Sequence, residues 1–107
     1  MGGGGVLNRF FTTKGAPSCE DLIIRTQLLS TRRDVLSQIS KGDNLSLELL
    51  SNSGPCVAVF QTEIVGTVIH RDLLQLMVCI NNGKSFVAIV RSVDGGACLV
   101  TIKPKAL

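Results

Sequence analysis

The sequence predicts one mainly β domain of the α+β class, built as a small bent sheet or partly open barrel with a helix after the third strand. Three observations support this class. Apolar residues occur in short runs separated by Gly, Pro, Asn, Asp and Ser, which is typical of short strands joined by turns. One run changes from strand spacing to helical spacing. The length of 107 residues suits a single domain with its own core.

The N-terminal part is predicted to be an arm followed by a short helix. Residues 1–18 are expected to form a flexible arm because Gly and Pro interrupt them, and residues 19–107 are assigned to the single domain. The segment CEDLIIRT, residues 19–26, is compatible with a strand or with one helical turn. Ser30 and Thr31 are suitable N-caps for a short helix in RRDVLSQIS.

Five strands are predicted from Leu45 onward. The leucines of LSLELL alternate with polar residues, which is the period of a half-buried strand. After the turn SNSGP, the runs CVAVFQT and IVGTVI are predicted to form an antiparallel hairpin. The runs SFVAIV and ACLVTI are predicted to form a second hairpin through the Asp-Gly-Gly turn at 94–96.

The helix follows from the stretch IVGTVIHRDLLQLM, whose period changes at His70. The apolar residues beyond it have the spacing of one helical face: Leu73, Leu74, Met77 and Ile80. A helix over residues 71–81 with a buried Met77 is therefore predicted, ended by Gly83 as the residue after the C-cap. The order β-β-β-α-β-β is typical of an SH3-like or OB-like barrel in which the helix plugs one open end.

The cysteines and the apolar runs indicate the compartment. Cys19, Cys56, Cys79 and Cys98 lie tens of residues apart and form no zinc-binding pattern. No apolar run approaches the ~20 residues of a membrane span, and no export signal is recognisable. We therefore expect a cytoplasmic location without membrane association, four free thiols in a reducing compartment, and no metal or cofactor.

His70 is the only histidine and the obvious candidate for catalysis or metal binding. General-base catalysis needs an orienting carboxylate and a reacting partner, and zinc needs three or four ligands. Only Asp72, in the same helical turn, is near in sequence. No nucleophile, phosphate-loop or paired-carboxylate motif is present. The sequence therefore predicts no catalytic residues and a protein that is not an enzyme.

The charge pattern permits nucleic-acid binding. Eleven Lys and Arg against eight Asp and Glu give a formal net charge of +3. The helix amides beside Arg71 are suited to hold a phosphate. Scattered solvated charge is the alternative explanation for the basic residues, which also include Lys41, Lys84, Arg91, Lys103 and Lys105. Gly66 lies inside a strand pattern, where glycine indicates a bulge or a close backbone approach.

The run PCVAVFQTEIVGTVIHRDLLQLM resembles the centre of a HIRAN domain. That family has an apolar Ala-Val strand, a tight turn, Val-Gly, a basic residue and a leucine-rich helix, and matching residues stand here at Ala58, Val59, Val65, Gly66, Arg71, Leu73 and Leu74. The resemblance covers about residues 45–103. It implies an OB-like module, found alone in bacteria or fused to helicase-type enzymes, that binds DNA, including single-stranded ends. It places Arg71 at the basic position and Thr67 at a ligand-facing one.

Two hypotheses about function remain at this point. The first is a non-enzymatic module that binds nucleic acid, most specifically single-stranded DNA or DNA ends. Its binding residues would be Arg71, Lys84, Arg91 and Thr67, with Phe60 or Phe86 as stacking surfaces. The alternative is a protein-interaction or regulatory domain, whose partner is another protein or a second copy that pairs along an exposed strand edge.

Overall fold

The computed structural model describes residues 18–105, which form six strands and two helices. A short 3₁₀ turn, Cys19–Asp21, precedes the first strand. The strands are β1 (Ile24–Gln27), β2 (Asn44–Leu49), β3 (Cys56–Phe60), β4 (Glu63–Thr67), β5 (Phe86–Asp94) and β6 (Ala97–Pro104). The helices are α1 (Arg33–Leu36), between β1 and β2, and α2 (Leu73–Asn81), between β4 and β5.

All six strands belong to one antiparallel sheet in the order β1-β6-β5-β2-β3-β4. The sheet curls into a half-barrel, and its two outer strands approach each other beyond the end of β1. There Leu29 forms an isolated bridge with Thr67 of β4, in which each backbone N–H donates to the other residue's carbonyl at 2.8–2.9 Å. The predicted mainly β class is confirmed.

The five predicted strands are all present, and the sheet has one more at its edge. Residues 19–26, for which the sequence left two structures open, contain both of them: the 3₁₀ turn and then β1, which pairs with β6. The predicted arm lies outside the described residues except for Ser18. The Asp-Gly-Gly hairpin between β5 and β6 is confirmed, with Asp94 paired to Ala97 across two glycines.

The core lies between the curled sheet and the two helices. Alternate residues of β2, β5 and β6 face it, as the strand period requires. The helix α1 buries Val35 and Leu36, and α2 buries Leu76 and Cys79. The predicted burial of Met77 is wrong. Its side chain is only half-buried, because the helix directs Leu76 and Cys79 into the core instead.

Gly66 confirms the expected close approach. A β-carbon at this position would lie 3.0 Å from Leu28 Cβ, from the Leu29 carbonyl oxygen and from Thr31 Cγ2. The register between β3 and β4 also shifts between Ala58 and Val59, beside the pairing of Ala58 with Gly66. The glycine therefore lets the segment after β1 cross close to β4, where the sheet curls.

The cysteines contradict the prediction of four free thiols. Cys19 and Cys79 form a disulfide with a Cα–Cα separation of 5.7 Å, which links the 3₁₀ turn to α2. Cys56 and Cys98 are free and buried. The prediction rested on a reducing compartment, whereas the fold places the turn before β1 against a helix and so brings together two cysteines that are 60 residues apart.

Candidate nucleic-acid interface

Strand alternation along β6 separates a core face from an outer face. Val100 and Ile102 point into the core, at 1% and 0% exposure. Leu99, Thr101 and Lys103 therefore point to the other side of the sheet, which we call the outer face. Because β6 lies between β1 and β5, residues of three neighbouring strands meet there.

Three cations surround Thr101 on this outer face, and one of them contacts it. Arg25 of β1 is the cross-strand partner of Thr101, so both side chains lie on the same face. The Arg91 Nε–H donates a hydrogen bond of 2.9 Å to Thr101 Oγ1. Lys103 follows Thr101 by two residues and shares its face. Arg25, Arg91 and Lys103 are exposed at the surface, and we call them the basic patch.

Arg91 is placed in the patch by a β-bulge. Val90 pairs with Val100 and Ser92 pairs with Leu99, so Arg91 is the extra residue between them. A bulge of this kind redirects a side chain relative to the regular pleat. The hydrogen bond to Thr101 then fixes the direction of the guanidinium along the sheet.

The basic patch carries charge that no acidic group in the described chain neutralises by contact. Ion pairs in residues 18–105 join Arg32 to Asp34, Lys84 to Glu20, and His70 to Asp72 when the histidine is protonated. None of these involves Arg25, Arg91 or Lys103. A groove of about 270 Å³ runs between Arg25 and Arg91 and has Leu99, Val100 and Thr101 in its lining.

A larger groove adjoins the patch on the β5 side. Its volume is about 670 Å³. Its lining includes polar and basic groups from β2, the turn after β3, the α2–β5 connection and the residue after β6: Asn44, Ser46, Gln61, Lys84 and Lys105. The Lys105 N–H donates to the Ser85 carbonyl at 2.9 Å, which holds this end of the chain beside β5. The larger groove therefore extends the cationic surface beyond Lys103.

The predicted basic residues are not gathered in one place. Arg91 lies in the basic patch. Lys84 lies at the larger groove, where its ammonium is 3.2 Å from Glu20 Oε2. A backbone hydrogen bond in the 3₁₀ turn, and then this contact with Lys84, lower the pKa of the Glu20 carboxyl. Arg71 is exposed in the turn before α2, and this turn lies near β1, since Thr26 Oγ1 donates to the Ile69 carbonyl at 3.2 Å.

The other predicted contacts differ in their accessibility. Thr67 is half-buried, and its backbone is used in the bridge to Leu29. Phe60 is partly buried against the core. Phe86 is 3% exposed and belongs to the core, so its ring offers no free face on which a base could stack.

Arg25 and Lys103 were not among the predicted site residues. Arg25 lies in the segment whose structure the sequence left open, so its face could not be assigned. Lys103 was one of several lysines near strand ends. The alternation of ACLVTI, extended by one residue, places Lys103 on the outer face. This alternation is the sequence signal that could have identified Lys103 as a site residue.

His70 has a structural role at the junction between β4 and α2. Its Nδ1 accepts a hydrogen bond of 3.0 Å from the Asp72 N–H, and Asp72 Oδ2 lies 3.8 Å from the same nitrogen. Asp72 is the N-cap residue of α2, and its own side chain makes no capping hydrogen bond. The imidazole of His70 thus binds the backbone at this capping residue. Within residues 18–105, no three His, Cys, Asp or Glu side chains are grouped to hold a metal ion.

The fold and the patch define a small half-barrel domain with a cationic outer face. Neither helix in the described part of the chain is long and apolar enough to cross a membrane. No family model, curated protein sequence or solved structure shows significant similarity to the chain.

Proposed function

We propose that this domain is a non-enzymatic binding module for single-stranded nucleic acid and that the basic patch contacts the phosphate backbone. The proposal is carried by the grouping of Arg25, Arg91 and Lys103 around Thr101, outside the ion pairs of the described residues. Positive charges fixed on a rigid sheet favour a polyanion over a small neutral ligand.

The spacing of the cations fits an extended chain of phosphates. Lys103 and Lys105 are two residues apart, a separation of about 6.6 Å along an extended backbone. Arg25 and Arg91 continue the cationic surface across β1 and β5. A single strand that follows β6 from Lys105 towards Leu99 would therefore bring successive phosphates to successive cations.

The bases contribute less than the phosphates in this proposal. The chain has four Phe and neither Trp nor Tyr, so stacking surfaces are scarce. Hydrogen bonds from the larger groove, at Asn44, Ser46 and Gln61, are available to bases that turn away from β6. We expect binding that depends strongly on salt and little on sequence.

The test is a titration of fluorescently labelled oligothymidine at several salt concentrations. If three phosphates are contacted, log affinity should fall against log salt with a slope of about −2, and each lost contact should reduce its magnitude by about 0.7. Lys103→Ala is the cleanest variant because the Lys103 side chain is exposed and belongs to none of the ion pairs within residues 18–105. Arg25→Ala and Arg91→Ala are expected to behave similarly.

The matched control is Arg33→Ala, which removes the same charge from an exposed position on α1. Arg71→Ala tests the residue that the sequence favoured, and a loss of slope there would extend the interface to the turn before α2. Absence of binding by the native protein at low salt would refute the proposal. A Lys103→Ala slope equal to that of Arg33→Ala would remove the basic patch from the interface.

The sheet edges give little support to the alternative function, self-association through a strand edge. The edge of β4 already receives backbone hydrogen bonds from Leu29 and Arg32. At the opposite edge, β1 has only four residues, and short edge strands are poor templates for pairing. Light scattering at concentrations used in the titration measures the mass directly, and a stable dimer would favour the alternative.

A further inference from the structure

The 3₁₀ turn Cys19–Asp21 is attached to the rest of the domain through a disulfide and an exposed ion pair. The disulfide joins Cys19 to Cys79 of α2. The ion pair joins Glu20 Oε2 to the Lys84 ammonium at 3.2 Å, and both side chains are more than half exposed. The turn buries none of its own residues. Because an exposed ion pair stabilises little, the disulfide is the strongest attachment of the turn.

Lys84 is held at the larger groove by its own backbone. Its N–H donates to the Cys79 carbonyl at 3.0 Å, and Lys84 belongs to the lining of the groove. Glu20 therefore neutralises a cation of the larger groove by contact. Since the hydrogen bond to Cys79 does not involve the turn, detachment of the turn would remove the carboxylate and leave the ammonium in place.

The two sulfurs of the disulfide differ in access. Cys19 is partly exposed, whereas Cys79 is fully buried. A thiolate from solvent therefore reaches the disulfide at the Cys19 sulfur. Cys56 and Cys98 are free and buried, and burial raises the pKa of both thiols. Because the thiolate is the reactive form, these two cysteines take no part in thiol–disulfide exchange.

We propose that the Cys19–Cys79 disulfide is a redox latch: a dithiol reductant opens it, the turn leaves α2, and Lys84 loses Glu20 as its partner. A thiolate of the reductant attacks Sγ of Cys19, which forms a mixed disulfide, and Cys79 leaves as a thiolate that takes up a proton. The second thiol of the reductant then attacks the reductant's own sulfur in the mixed disulfide and releases Cys19 as a thiol. Two electrons pass to the protein, and the reductant becomes a cyclic disulfide.

The effect of the latch on nucleic acid rests on the function proposed above. In the oxidised protein Glu20 competes with a phosphate for Lys84, and in the reduced protein it does not. One further phosphate contact should increase the magnitude of the salt slope for oligothymidine by about 0.7. The fold should persist on reduction, because Leu22, the residue after the turn, and Cys79 are both buried in the core.

The test compares the full chain before and after treatment with dithiothreitol. The ¹⁵N order parameters of Cys19–Asp21 should fall from about 0.85 to below about 0.6 on reduction, while those of Gly95 and Gly96 in the β5–β6 turn should stay unchanged. Acylation of Lys84 by acetic anhydride, followed by mass spectrometry, should become faster relative to the exposed Lys41. Neither measurement needs nucleic acid.

Titrations with oligothymidine separate the latch from the proposed function. The matched variant Glu20→Gln removes the carboxylate charge and keeps the disulfide, so it should have the salt slope of the reduced native protein, and reduction should add nothing to it. Cys19→Ser should match the reduced protein without any reductant.

Three outcomes would overturn the latch: order parameters of the turn that do not change on reduction, equal salt slopes for the oxidised and reduced native protein, and a loss of order that extends to Gly95 and Gly96. In the last case the disulfide would hold the whole domain. Absence of binding in both states, together with a released turn and faster acylation of Lys84, would refute the proposed function and support the latch.

Discussion

Replacing Gly66 by alanine should destabilise the fold, because the added β-carbon would lie 3.0 Å from three heavy atoms. Carbon atoms in contact normally lie about 3.5–4.0 Å apart. The Leu29 carbonyl oxygen cannot easily move away, since it accepts a hydrogen bond from the Thr67 N–H at 2.8 Å. The bridge that joins the two outer strands would therefore be strained or broken by a single methyl group.

The magnitude follows from two opposing effects. Inserting a methyl group into a well-packed site costs about 1–3 kcal/mol, while replacing glycine restricts the unfolded chain and offsets about 0.4–1 kcal/mol. We expect a net loss of about 1–2 kcal/mol in the free energy of unfolding. In a urea titration with a slope of about 1.5 kcal/mol/M, the midpoint should fall by about 1 M.

The same substitution at Gly96 provides the control. A β-carbon there would have no heavy atom within 4 Å, and Gly96 is not among the glycines with positive φ. Gly96→Ala should be neutral or more stable by up to about 1 kcal/mol. If Gly66→Ala has the same midpoint as Gly96→Ala, the close approach at β4 does not exist as described.

Further predictions concern the core and the thiols. Leu76→Ala should lower the free energy of unfolding by about 2–5 kcal/mol because Leu76 is fully buried. The control Leu50→Ala, at a residue that is 57% exposed, should lower it by less than about 0.5 kcal/mol. Equal denaturation midpoints for the two variants would contradict the orientation of α2. Thiol titration of the denatured protein should find two groups, Cys56 and Cys98, before reduction and four afterwards, and four before reduction would disprove the disulfide. Burial raises the pKa of the Cys56 thiol to about 11. The stability that the buried protonated thiol contributes is therefore complete below the ordinary thiol pKa and is lost as pH rises to about 11. An identical loss of stability at alkaline pH in Cys56→Ala would exclude this cause.

The sheet was largely predictable because its signals are local. Alternation in LSLELL and the Asp-Gly-Gly turn each depend on residues close together in the chain, and both correspond to observed elements. The strand β1 was not predictable from periodicity, since it has four residues and its pairing with β6 depends on the far end of the described chain. Arg25 was missed as a patch residue for the same reason.

The buried face of α2 was predicted only in part, for a different reason. Apolar residues occupy nearly every position of LLQLMVCIN, so several stripes satisfy the helical period equally well. Of the predicted stripe Leu73, Leu74, Met77 and Ile80, the first and the last pack against the core. Leu74 is exposed, and the fully buried residues of the helix are Leu76 and Cys79. The disulfide was likewise invisible to spacing arguments, since only the packing of the 3₁₀ turn against α2 brings the two sulfurs together.

The pairing of β1 with β6 has a consequence for the order in which the domain assembles. Ile24 pairs with Ile102, so the first described strand must wait for the last one to be synthesised. Contacts between such distant residues require a large loop to close before they contribute any stability. We therefore expect folding in the millisecond-to-second range typical of such topologies. On the ribosome, the hairpin of β3 and β4 can form early, while β1 stays unpaired until β6 has emerged.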